Sequence, residues 1–311
     1  MAGLAVVRLS SSLRTALWCG AKSTGNRQRW VSMVSGVIDY VQQSPITVLD
    51  PSQHWLLDGL PDDPLSICRS AQNLVLSPED AAAVGVPKDR LNEQRTRPVR
   101  HLIAVLTRLL PEPLGRPRPL EVRVVGTSRH SAALACSLLR AQGYAARVRC
   151  GFRNTSRETP RMQWTAEWWS KSEERWIRMD PDPESTGLPA DAGEASFGFA
   201  TAGEAWQLYR SGSLGQPGGK APGADSAHTS FKISAGVVRD LAALCKLEML
   251  PTDTWGRMAM PQHGFTSVAY LNLIDVVASL CVQDEPAGLA RLFASVDLAV
   301  PPHMIDPPTD A

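Results

Sequence analysis

The residues best suited to chemistry lie around position 128. The stretch Val124-Val-Gly126-Thr-Ser128-Arg-His130 reads as a glycine-led turn that delivers a small, nucleophile-sized residue to the start of a helix. A hydroxyl there meets unpaired backbone N–H groups and the positive end of the helix dipole, which stabilise negative charge and supply oxyanion donors. By spacing alone Ser128 is an ordinary N-cap. Downstream, a hairpin offers Gln163 at the start of one strand and Asp180 at the end of the next.

The elements that must position these groups follow from the pattern. Ser128–Gln142 is rich in Ala and Leu and reads as a helix stopped by Gly143. Tyr144–Phe152, Gln163–Trp169 and Arg175–Met179 read as strands, the last two joined by the polar turn Ser170–Glu174. Before them, residues 34–120 read mostly helical. Prolines 45, 51, 61 and 64 break the start into short pieces, and apolar faces recur over Pro64–Leu76 and Arg97–Leu110. After them come a Gly-, Pro- and Ala-rich stretch from 186, a short helix at Gly203–Tyr209 and a loose loop at Ser211–Ala227. Strong helices are expected at Val237–Leu250 and Ser267–Cys281, and a frayed tail at the end. The expected organisation is an extension over 1–33, a helical part over 34–120, a core over 121–185, a loop-rich and helical part over 186–303, and a tail over 304–311. The fold class is α+β.

Several separated segments occur in one order, and together they resemble a bacterial group of the transglutaminase-like superfamily. The segments are Gly126-Thr-Ser128-Arg-His130, Arg140-Ala-Gln-Gly-Tyr-Ala-Ala-Arg147-Val-Arg-Cys150-Gly-Phe152, Gln163-Trp-Thr-Ala-Glu167-Trp-Trp169 and Arg175-Trp-Ile-Arg-Met-Asp180. The likeness extends over about residues 37 to 303. It implies a papain-like core with an antiparallel sheet, wrapped by N- and C-terminal helices. It also implies a Cys–His–Asp triad, with the Cys at a helix N-terminus and the other two on neighbouring strands. Carried over by motif, the triad positions are Ser128, Gln163 and Asp180, so two of the three members have changed.

On this resemblance, these changes are expected to silence the triad's chemistry. A glutamine amide neither accepts a proton near neutral pH nor forms a cation. A serine hydroxyl without a strong base is a far weaker nucleophile than a thiol. A Ser–Gln–Asp chain would still satisfy buried polar groups, so the expected function is a silent binding or interaction module for a peptide, a protein or an amide-containing small molecule. Two other readings stay open: acyl transfer or amide hydrolysis by Ser128 with an unidentified base, and a purely structural partner whose cleft is closed.

Other candidates have plainer readings. His130 points about 200° around the helix from Ser128 and reads as structural. His263, in Pro-Gln-His-Gly, stays a candidate base. Cys136 and Cys150 read as core, as do Trp164 and Trp168 on one strand face. Glu248 shares the apolar face of its helix with Leu241 and Cys245 but should reach water where the helix ends. Arg239 and Lys246 should form a solvated face.

Composition narrows the classes. The 311 residues carry 32 Lys+Arg against 31 Asp+Glu, a net charge of +1 that argues against a dedicated nucleic-acid binder. No apolar run approaches the roughly 20 residues of a membrane span. The six cysteines are scattered without a C-x-x-C pair, so neither a zinc ribbon nor another metal site is expected, and a reducing compartment is the simplest setting. No phosphate-loop or dinucleotide motif is present, and no cofactor is expected. Residues 1–38 hold no acidic residue and five cations. They look like a transit peptide to mitochondria or another organelle. The preferred reading is a plain basic, disordered tail or an extension upstream of a start at Met33, with a cytoplasmic protein.

Overall fold

In the N-terminal part, proline and short polar caps set where helices begin. The computed structural model describes residues 38–153, 161–179, 199–213, 226–258, 267–295 and 297–305. The basic N-terminal stretch, Asp180, the stretch from 186 to 198, most of the 211–227 loop, His263 and residues 306–311 lie outside these residues. Pro64–Gln72 (α1), Val75–Leu76 (β1), Pro78–Ala83 (α2) and Val99–Leu109 (α3) are followed by Val124–Val125 (β2) and Ser128–Ala141 (α4). Pro64 and Pro78 occupy the first helical turn, where a missing N–H costs nothing. The Asp63 and Ser77 side chains cap those turns by accepting N–H bonds from Ser66 and Asp80. On α3, Val99, Leu102, Ile103 and Leu106 form one fully buried stripe.

The sheet follows as Ala146–Arg153 (β3), Arg161–Ser170 (β4), Arg175–Arg178 (β5) and Phe199–Thr201 (β6). The strands lie antiparallel in the order β5-β4-β3-β6. Then come Ala202–Arg210 (α5), Ser226–Leu244 (α6), Val268–Gln283 (α7), Pro286–Phe293 (α8) and Pro302–Ile305 (α9). Helices and an antiparallel sheet make an α+β fold. A short helix therefore stands at Pro302 where a frayed tail was expected.

The alternation of β3 and β4 divides the molecule. Ala146, Val148 and Cys150 stand opposite Trp168, Ala166 and Trp164, and all six belong to the core shared with α4, α1 and α3. Arg147, Arg149 and Gly151 stand opposite Glu167, Thr165 and Gln163 on the other face. That face meets α6 and the end of α7, where Asp240 and Asp284 pair with the two arginines. Helix α4 is buried from Arg129 to Arg140 apart from Ser131, so it is the central helix rather than an amphipathic one.

The helix expected over Val237–Leu250 begins earlier and stops sooner, at Leu244. Lys246 takes a left-handed conformation (φ 66°), and the Lys246 and Leu247 N–H groups bond back to the Ala243 and Ala242 carbonyls, a helix-ending motif. Leu247, Glu248, Met249 and Leu250 are then all buried in a non-helical segment, so tertiary packing outweighs helix propensity. This corrects three expectations. Glu248 is 0% exposed instead of reaching water, and Arg239 and Lys246 are buried. Their charges are met by backbone: Arg239 donates to Asp253 O at 2.7 Å and Lys246 to Asp39 O at 2.6 Å.

Gly151 has no room for a side chain. A Cβ there would lie 2.2 Å from Ala200 O and 2.5 Å from the Phe199 ring. Gly151→Ala is therefore expected to push β6 from β3 and destabilise the fold by roughly 1–3 kcal/mol. Urea unfolding measures this, and an unchanged midpoint would mean that β6 does not pack there.

Candidate functional site

Strands β1 and β2 pair in parallel, Val75 with Val124 and Leu76 with Val125. The chain leaves β2 through Gly126, whose N–H donates to Leu76 O at 2.9 Å. Thr127 is the extended N-cap residue and Ser128 the first helical residue of α4. The His130 N–H already donates to Thr127 O at 2.8 Å, which leaves the N–H groups of Ser128 and Arg129 without an acceptor inside the helix.

His130 closes the turn instead of serving Ser128. Its Nδ1 accepts the Thr127 N–H at 2.9 Å, and its Nε2 donates to Thr96 O at 3.1 Å. The ring is thus a neutral Nε2–H tautomer with both nitrogens occupied. Burial, helped by the adjacent Arg129 charge, pushes its pKa down to about 3. The ring folds back over Gly126, where an added Cβ would lie 2.9 Å from its Cγ; this is why a glycine precedes the turn.

The helix start meets the edge of β4. Ser128 Oγ accepts the backbone N–H of Trp164 at 3.2 Å. Strand β5 pairs only with residues 167–170, so this part of the edge is left open by β5. Next along it, Ala166 O accepts the Met179 N–H at 2.9 Å, and Thr165 Oγ1 donates to Met179 O. Ser128 is therefore bonded to the residue that follows Gln163. Gln163 itself stands opposite Gly151, and its Oε1 is buried without a hydrogen-bond partner among the described residues. Asp180, directly after Met179, is outside the described residues.

The sequence reading missed the charged groups on the face of the sheet that Gln163 shares with Glu167. Glu167 is paired by Arg147 at 2.8 Å and Arg178 at 2.9 Å, and Arg147 also reaches Asp284 at 2.6 Å. Arg149 grips Asp240 through Nε at 3.0 Å and Nη2 at 2.7 Å. Burial alone would raise the Glu167 pKa. The guanidinium groups of Arg147, Arg149 and Arg178 outweigh it and hold the carboxyl at about 2. These groups line a cavity of about 210 Å³, with Glu204 and Asp284 among its walls. The available signal was the period-two placing of Arg147 and Arg149 between apolar neighbours.

Among the described residues, no group of three or more His, Cys, Asp or Glu is placed to hold a metal ion. The five described cysteines are free and buried, and no described helix is long and apolar enough to cross a membrane. Compared with known families, residues 113–181 match the model of the transglutaminase-like superfamily. No curated protein and no solved structure matches the chain.

Proposed function

We propose that the transglutaminase-like domain matched over residues 113–181 is catalytically silent and serves as a binding module for an amide-bearing ligand, a peptide or a small molecule. The observation that carries this reading is the bond from the Trp164 N–H to Ser128 Oγ. The residue at the nucleophile position is spent as a structural acceptor, tying the start of α4 to the edge of β4. The base position holds Gln163, which cannot take a proton, and His130 has both ring nitrogens engaged.

The polar groups left over complement an amide. Gln163 Oε1 is a buried acceptor without a partner among the described residues and suits an N–H donor. The Ser128 and Arg129 N–H groups at the start of α4 suit a carbonyl oxygen. Asp180 would orient the glutamine amide as it would have oriented an imidazole. Buried, free cysteines fit a reducing compartment such as the cytoplasm.

Two measurements test the silence. The purified protein is expected to turn over p-nitrophenyl esters no faster than its Ser128→Ala variant; a rate above that variant would revive a hydrolase that uses Ser128 with another base. The double variant Ser128→Cys with Gln163→His is expected to alkylate at residue 128 roughly tenfold faster at pH 7 than Ser128→Cys alone, because an adjacent imidazole and the helix terminus favour the thiolate. Equal rates would mean that position 163 is not the base position.

A further inference from the structure

The start of helix α4 is bonded to one residue from a distant part of the chain, and the far end of the helix faces that residue with a charge. Arg129 and Arg140 are eleven positions apart, which puts them on one face about 16 Å apart along the axis. Both side chains converge on Glu248. Arg129 Nε donates to the Glu248 carbonyl at 2.8 Å and Nη2 donates to the same oxygen. Arg140 Nη1 stands 3.9 Å from Glu248 Oε1. The two side chains of that pair are 0% exposed, and Arg129 is also 0% exposed. Solvent and salt therefore screen little of the attraction. The carboxylate oxygens of Glu248 are buried and accept no hydrogen bond among the described residues, so the charges of Arg140 and Lys246 are what meet them.

We propose that Glu248 is a positioning residue for Ser128, setting the axial place of α4 and so the reach of the Ser128 hydroxyl to β4. Arg129 follows Ser128 directly, and a guanidinium fixed by two bonds to one carbonyl fixes the first turn of the helix. At the far end Arg140 is fixed by bonds to Tyr40 O, Thr47 Oγ1 and Ala146 O and faces the same residue with its charge, so α4 is held at both ends. The Ser128–Trp164 bond is 3.2 Å long, and a slide of about half an ångström is enough to break it. The segment after α6 is thereby part of the site although it lies 120 positions from Ser128. The inference concerns the same site as the proposed binding module but not its chemistry.

Amide hydrogen exchange of Trp164 reads this geometry directly, with Ser128→Ala marking full loss of the bond. In Glu248→Gln, which keeps size and backbone but removes the charge, the Trp164 amide is expected to exchange about tenfold faster, approaching the Ser128→Ala rate. The Thr165 and Glu167 amides, which face β3, should stay within about threefold of wild type. Arg129→Lys keeps the charge, loses the two-bond grip, and should give the same selective pattern; it decides the matter if Glu248→Gln does not fold. A change at Trp164 no larger than at Thr165 and Glu167 would overturn the proposal, because a merely structural residue loosens all three together. So would a Ser128→Ala variant with wild-type exchange at Trp164. Ester turnover by the wild type would end the silent reading but leave this result untouched.

Discussion

Replacing Asp240 by alanine is expected to destabilise the protein by about 3–5 kcal/mol, the range for stranding one member of a buried ion pair. Asp240 is 0% exposed and Arg149 4% exposed. The variant would leave the guanidinium in the interior with the Cys281 carbonyl at 3.2 Å and the nearby charge of Glu167 in place of its ion-pair partner. It would also orphan the Cys150 N–H, which donates to Asp240 Oδ1 at 2.8 Å in the middle of β3. Against a typical total stability of about 5–15 kcal/mol this is a large fraction. The measurement is urea unfolding, with a lowered midpoint and an unchanged slope. The paired change Arg149→Met with Asp240→Leu should recover most of the loss, since apolar side chains of similar volume replace a buried pair at little net cost. By contrast, removing the exposed Glu173 partner of Arg175 should cost about 0–1 kcal/mol. A cost below about 1 kcal/mol for Asp240→Ala would mean that water reaches Arg149.

The second large effect is acid sensitivity centred on His130. In the folded chain burial, reinforced by Arg129, lowers its pKa to about 3, from an ordinary 6.5. The unfolded chain therefore binds the proton first, and stability falls as pH drops below 6.5. The loss grows by about 1.4 kcal/mol per pH unit until the folded pKa is reached, for a total of about 4–5 kcal/mol. Glu167 acts in the same direction, but its loss begins only below the ordinary 4.5 and runs toward about 2. Between pH 6.5 and 4.5 the slope should therefore belong chiefly to His130, a loss of about 2–3 kcal/mol. His130→Gln keeps a side chain able to cap the Thr127 N–H without titrating. It should flatten the stability profile in that window even if it lowers stability at pH 7. A variant profile parallel to wild type from pH 6.5 to 4.5 would assign the slope elsewhere.

Much of the local structure was legible because it is decided locally. The start of α4 at Ser128 follows from a glycine turn and a run of small residues, and its end follows from Gly143, which adopts φ 85°. The β4–β5 hairpin follows from two β-prone runs around a polar turn, in which Glu174 adopts φ 51°. Trp164 and Trp168 share the buried face that their spacing indicated. His130 was legible as structural from its angle on the helix, though not its role in closing the turn over Gly126.

The placing of the charges was not legible. Arg149 and Asp240 are separated by 91 positions, and Arg129 and the Glu248 carbonyl by 119. Helical periodicity describes which side chains share a face, not what the rest of the chain lays against that face. Arg239 and Lys246 looked like a solvated surface because nothing nearby in sequence covers them. In the fold they are covered, and they donate to the Asp253 and Asp39 carbonyls. Glu248 looked like a residue at a frayed helix end because Pro251 follows. The helix instead ends at Leu244, and the segment is buried under α4.

By itself, the sequence determined most of the elements, their order and the residue types at positions 128, 163 and 180. Those are properties of single residues and of short-range backbone preference, and they need no partner to be expressed. Only the tertiary structure decided that the Ser128 hydroxyl is bonded to the edge of β4, and that His130 has no free nitrogen. It alone brought the ends of α4 to one carboxylate-bearing residue more than a hundred positions away. The physical reason is that charges and hydrogen-bonding groups taken out of water must find partners wherever the chain brings them, and that choice is made by packing rather than by neighbours in sequence.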